Sequence, residues 1–172
     1  MSIERAAAFM FAGSQATLIG PELKVGDKAP EFTAMGTNLA AVKSSEYAGK
    51  VRIISSVPSL DTGVCDTQTR RFNQEAANLG ENVVVLTLSM DLPFAQKRWC
   101  GAAGVDRVVT LSDFREGSFG AAYGTLMKEW RLLSRAVFVV DSQENIVHAE
   151  YCKAGGEQPN YDAALEAAKA AK

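Results

Sequence analysis

The chain has 172 residues, 47% apolar and 22% charged, with 18 basic against 20 acidic side chains. That length suits one domain around one sizeable core, and the composition excludes a disordered tail protein or a collagen-like chain. A formal charge of −2 argues against a nucleic-acid partner, which would call for a basic excess. No apolar run approaches the ~18 residues that span a bilayer.

In chain order, the opening Met1-Ser2-Ile3-Glu4-Arg5 carries an acid early, and the apolar run Ala6 to Ala12 that follows is short. It reads as structure and not as a signal peptide. Ala8 to Ile19 is predicted as two short strands turning at Gly13-Ser14. Gly20-Pro21 and Gly26 to Pro30 punctuate an extended entry. Val51 to Val57 is β-branched and mostly apolar, as a buried strand should be. After a polar turn over Ser59 to Gly63, Val64, Gln68, Phe72, Ala76 and Leu79 recur at helical spacing, with Gly80 at the end.

Val83 to Leu88 repeats the buried-strand pattern. Asp91-Leu92-Pro93 then opens a second helix, with Asp91 as its cap, running through Trp99-Cys100 and stopping near Gly101 to Gly104. Val108 to Leu111 is a short strand, and Ser118 to Tyr123 a short helix. Ala136 to Asp141 is a further strong strand, paired through a turn with Ile146 to Tyr151. Asn160 caps a last helix over Tyr161 to Ala171. The order is β–α–β–α, an insertion, then β–β–α: an α/β, thioredoxin-like arrangement with an added N-terminal β-hairpin (1–20), in one domain over 1–172.

Chemistry has few carriers: Cys65, Cys100, Cys152 and the single His148. A sparse, odd cysteine count does not look like a secreted disulfide scaffold, and a reducing cytoplasm is the expected compartment. There is no Cys-x-x-Cys pair, which disfavours a zinc ribbon or a dithiol reductase. His148 and Cys152 supply at most half a metal site, and the reading is no metal and no cofactor.

Cys65 is the informative one. It follows a buried strand and stands at a helix start, where free amides and the helix dipole favour an anion and hence a thiolate. Thr62, one helical turn earlier, could set its hydroxyl beside the sulfur. Pro58 fixes the turn. The same spacing also suits an inert buried cysteine behind an ordinary Thr62 cap.

The pattern Pro58-x-x-x-Thr62-x-x-Cys65 resembles the active-site signature of the peroxiredoxins. Asp61 to Cys65, Ser89 to Gln96 with Cys100, Arg135 to Asp141, Gly20 to Leu23, Val25 to Pro30 and Glu157 to Leu165 are similar to the bacterial thiol peroxidase subfamily, atypical two-cysteine peroxiredoxins. Two positions depart from that pattern: Ala12-Gly13-Ser14 in the hairpin and Trp99 before Cys100.

The resemblance implies that Cys65 is the peroxidatic cysteine and Cys100 the resolving one, with Thr62, Pro58 and Arg135 completing a peroxide pocket. It also implies an intramolecular Cys65–Cys100 disulfide, thioredoxin as reductant and a homodimer. Closure needs Cα atoms within about 7 Å, so local unfolding is expected during the cycle. The alternative is a redox sensor or interaction module switched by the same pair, which would need the thiols and not the pocket.

Overall fold

The computed structural model describes residues 1–171. The chain opens on a hairpin, β1 (Glu4–Phe11) and β2 (Ser14–Ile19), paired antiparallel. Its two turn residues, Ala12 and Gly13, both have positive φ, at 48° and 80°. This is the turn handedness that matches strand twist, and an alanine adopts it only at some cost. The turn lies one residue earlier than Gly13-Ser14, and β1 begins four residues before the predicted Ala8.

β3 (Thr33–Met35), β4 (Ala41–Lys43) and a 3-10 turn (Ser44–Tyr47) follow. Then come β5 (Val51–Ser56), α1 (Gly63–Ala76), β6 (Val83–Ser89), α2 (Pro93–Ala103) and β7 (Val109–Ser112). The chain closes with α3 (Ser118–Ala122), β8 (Leu126–Met127), β9 (Ala136–Val140), β10 (Ile146–Tyr151) and α4 (Tyr161–Ala170). The seven-stranded sheet runs β10-β9-β5-β6-β7-β3-β4, and β1-β2-β8 form a smaller one. β5, β6 and β7 are parallel, linked by α1 and α2, whereas β9 runs antiparallel to β5. This is the thioredoxin-like α/β fold that the sequence suggested, with the hairpin added.

The central strands are continuously apolar because both faces of the sheet are covered. Ile54, Leu86, Leu88, Phe138 and Val140 pack with Phe32, Phe119 and Tyr123 on one face. Ile53, Val85, Val137 and Val139 pack on the other with Phe72 of α1 and Ala164, Leu165 and Ala168 of α4. Alternation along each strand sends neighbours to opposite layers. The third cluster, Phe9, Ala16, Leu18, Met127 and Cys152, sits under the small sheet.

Two helix boundaries differ from expectation. α1 stops at Ala76, and the chain turns on to Gly80 at φ 86°. α2 is capped by Leu92, with Pro93 in its first turn and no side-chain cap bond. Asp91 is occupied elsewhere, as described below. Asn160 does cap α4, its side chain accepting from the Ala163 amide at 3.0 Å.

Candidate active site

The β5–β9 register pairs Ser56 with Ala136. The exit of β5 therefore lies beside the entry of β9. From that exit the chain passes Val57 and buried Pro58, turns, and enters α1 with Thr62 as N-cap. Cys65 is the third residue of α1 and fully buried. Arg135, immediately before β9, is brought to the same point by the register alone.

Arg135 is 1% exposed, not the surface arginine that a strand end usually carries. Its Nη2 lies 3.3 Å from Cys65 Sγ and donates to the Gly155 carbonyl at 2.7 Å. Nη1 donates to Gln68 Oε1 at 2.7 Å, and Nε to Gly155 O at 3.3 Å. Gln68 is oriented in turn by its Nε2 donating to Ser55 Oγ at 2.6 Å. Apart from the sulfur, every acceptor of Arg135 is neutral, and among the described residues it forms no salt bridge. A buried cation needs a counter-charge. Cys65 Sγ is the one acceptor of Arg135 able to carry a charge, at a helix start where the first amides have no intrahelical acceptors.

Val57, Leu60 and Trp99 wall the sulfur. The turn over Ser59 and Leu60 is latched to the end of β6 by Asp91. Its carboxylate accepts from Ser59 Oγ at 2.7 Å, from the Leu60 amide at 2.8 Å and from Ser89 Oγ at 2.7 Å. Thr62 is exposed, and its hydroxyl donates to the Ser59 carbonyl at 3.1 Å, so in this structure it braces the turn. Cys65 and Arg135 are thus in direct contact, while Pro58 and Thr62 belong to the turn that leads into α1, the Thr62 hydroxyl facing Ser59 and not the sulfur.

Cys100 lies outside this cluster. It is half-buried on α2, its Sγ 3.5 Å from Thr110 Oγ1 of β7. It lines an open groove of about 390 Å³ with Lys97, Val105 and Val109. Its neighbour Trp99 takes the other side of α2, with its Nε1 donating to Asp66 Oδ1 of α1 at 3.1 Å. All three cysteines are free thiols. Cys152 follows β10, packed among Phe9, Ala16, Leu18 and Met127, and burial pushes its thiol up to about 12, with Glu150 and Glu157 adding to the rise. His148 Nε2 stands 3.6 Å from Glu150, and among the described residues no group of three metal-ligating side chains is found.

Sequence reasoning missed Gln68, Ser55, Asp91 and Gly155. Only Gln68 left a usable trace: an amide at a core position of the α1 pattern, one turn after Cys65.

A thioredoxin-like sheet carrying a buried thiol–guanidinium pair at the mouth of its first central helix defines a thiol redox protein. A family model described as Redoxin matches residues 24–165, and the chain belongs to that family. It is 58% identical over 161 residues to a thiol peroxidase of Listeria innocua, covering 94% of this chain and 97% of the relative. It is 56% identical over 164 residues to a thiol peroxidase of Bacillus subtilis, covering 95% and 98%. Among solved structures, a peroxiredoxin-like protein from Aquifex aeolicus superposes with a TM-score of 0.88 at 38% identity, covering 97% of this chain and 99% of that one.

Proposed function

We propose that this chain is a thiol peroxidase in which Cys65 is the peroxidatic cysteine. The Cys65 thiolate attacks the terminal oxygen of a peroxide. The S–O bond forms as the O–O bond breaks, leaving Cys65 sulfenic acid and a hydroxide or alkoxide that takes a proton from solvent. Arg135 faces the sulfur and the charge that moves onto the departing oxygen. The unpaired amides at the start of α1 can hold the peroxide in line, and Pro58 and Leu60 keep water from the sulfur. The observation that carries this reading is the buried guanidinium 3.3 Å from Cys65 Sγ with no carboxylate partner.

Cys100 then attacks the sulfenic sulfur, releasing water and closing a Cys65–Cys100 disulfide. A dithiol protein such as thioredoxin reopens it by two exchanges. Because Cys100 faces Thr110 while Trp99 faces the Cys65 wall, this closure requires α2 to loosen. A homodimer fits the exposed apolar residues Leu92, Phe94 and Phe114, which lie where Ser112 Oγ ties β7 to the Asp91 carbonyl. A cytoplasmic setting fits the three free thiols. No helix among the described residues is long and apolar enough to cross a membrane.

The decisive experiment is peroxide turnover with a dithiol reductant for the wild type, Cys65→Ser and Cys100→Ser. Cys65→Ser is expected to show no turnover, since a serine hydroxyl is not ionised near neutral pH. Turnover near the wild-type rate would overturn the assignment.

A further inference from the structure

We propose that the N-terminal hairpin is a positioning element for the Cys65 site, acting on Arg135 through the Gly155 carbonyl. The inference rests on the Cys65–Arg135 reading above and assigns to the hairpin a part in the chemistry.

Arg135 is gripped twice by the segment that leaves β10. Its own carbonyl accepts from the Cys152 amide at 3.0 Å, and its guanidinium donates two hydrogen bonds to Gly155 O. That segment has no place in the seven-stranded sheet. It is instead paired to the outer edge of β1. The Met10 amide donates to Lys153 O at 2.7 Å, the Gly155 amide donates to Met10 O at 2.9 Å, and Met10 and Ala154 form a parallel bridge. Both Met10 backbone groups thus serve the segment and not the β1–β2 ladder. The fit is close at Gly155, where an added Cβ would stand 3.0 Å from Phe11 Cδ2. The Phe11 ring is itself backed by Trp130, edge-on with ring centroids 5.4 Å apart.

Fixing the Gly155 amide against Met10 holds the residue whose carbonyl faces the guanidinium. A carbonyl with two of the guanidinium donors sets where the remaining Nη2 proton points, and that proton is aimed at Cys65 Sγ. Moving this carbonyl turns the cation away from the sulfur without removing any charge, so its effect must appear in the thiolate and not only in stability.

The test uses the full chain in a Cys100→Ser background, leaving Cys65 as the reactive thiol. The rate of iodoacetamide alkylation is followed against pH, and the rate of first oxidation by hydrogen peroxide at neutral pH. Gly155→Ala pushes a methyl against Phe11. Met10→Pro removes the donor to Lys153 O while sparing the β1–β2 ladder. Each is expected to shift the alkylation midpoint to higher pH and to slow oxidation about tenfold, the size of one weakened charge-assisted hydrogen bond. Adding Phe11→Ala to Gly155→Ala makes room for the methyl and is expected to restore the profile. Circular dichroism and a cooperative thermal melt check that each variant is folded.

Folded Gly155→Ala and Met10→Pro with unchanged profiles would make the hairpin scaffold only and overturn the proposal. A double variant no better than Gly155→Ala alone would overturn the route through Phe11 and β1. Arg135→Met separates the layers. If it moves the profile and the hairpin variants do not, only the hairpin's role fails; if Arg135→Met also leaves the profile unchanged, the reading of the site fails with it.

Discussion

At the scale of single residues, Arg135 shows how a short-range environment assigns a role. Three acceptors surround one guanidinium: Gln68 Oε1, Gly155 O and Cys65 Sγ. A lysine keeps the charge but has no planar fork to serve all three. Arg135→Lys is therefore expected to lose at least about tenfold in the rate of Cys65 oxidation while keeping the fold, measured by single-turnover stopped flow. Asp91 is a second case. Asp91→Asn turns one of its two acceptor oxygens into a donor facing other donors, at a cost of about 1–3 kcal/mol. Chemical denaturation with an unchanged m-value would measure the loss, and Cys65 reactivity should fall with it because the Ser59–Leu60 turn is released.

Both residues mark the reach of sequence reading. Cys65, Pro58 and Thr62 are close in the chain, so a local motif reports them. Arg135 is seventy residues from Cys65, and position alone favours a surface arginine. Only the resemblance pointed to it. Asp91 reads as a helix cap because Asp before Pro fits that rule, yet its partners belong to a turn that only strand adjacency brings near.

At the scale of elements, α2 joins two environments. Trp99 packs on the wall of Cys65 and bonds Asp66, while Cys100 points to Thr110. Successive helix residues point about 100° apart, so with Trp99 seated against Cys65 the Cys100 side chain is directed toward Thr110. In a Trp130→Phe background, one equivalent of peroxide should change Trp99 emission, and Cys100→Ser should abolish the disulfide-linked part of that change. Disulfide formation with constant emission would show that α2 need not move.

The short α3 depends on Asp113, whose carboxylate accepts from the Phe119 amide at 3.0 Å and the Gly120 amide at 2.8 Å. Burial raises the Asp113 pKa to about 6, with Glu116 adding to the rise and those amides opposing it. A native value above the unfolded one means that the folded state binds the proton more tightly. This group's stabilisation is complete below about pH 4 and is lost as pH rises through about 6, on the order of 3 kcal/mol in all. Melting of wild type against Asp113→Asn at pH 4 to 8 should show that slope only in the wild type.

Elements were legible in proportion to their length and pattern. β5, β6, β9 and β10 are five to seven residues long, the first three at least half β-branched, and β10 follows β9 through a turn. β3 and β4 have three residues each and β8 two, too few for any period to show. Their pairing comes from sheet edges that other strands provide.

At the scale of the whole molecule, the main sheet is covered on both faces, and the small sheet closes over Phe9, Ala16, Leu18, Met127 and Cys152. Cys152 is held there as a neutral thiol by its apolar surroundings. Its alkylation in the native protein should track global unfolding, with a rate set by overall stability and not by peroxide cycling. Mass mapping after mild alkylation should find Cys65 modified and Cys152 untouched. Cys152→Ser should leave turnover and the oxidised linkage intact.

The ion pair at the centre has an energetic corollary for the catalytic cycle. In the proposed peroxidatic reading, a Cys65 thiolate answers the buried guanidinium 3.3 Å away. Once that sulfur enters a disulfide its charge is gone, while Arg135 stays cationic at any accessible pH. Oxidation therefore strands a positive charge in a place with little water, a state that proteins tolerate poorly. By linkage, whatever the stranded charge costs the oxidised fold is returned as driving force for reduction. The proposed disulfide would on this account be a spring-loaded electron acceptor, drawn toward reduction by the charge beside it. Arg135→Met should lower its reduction potential, and a glutathione titration of the wild type against this variant would reveal the difference.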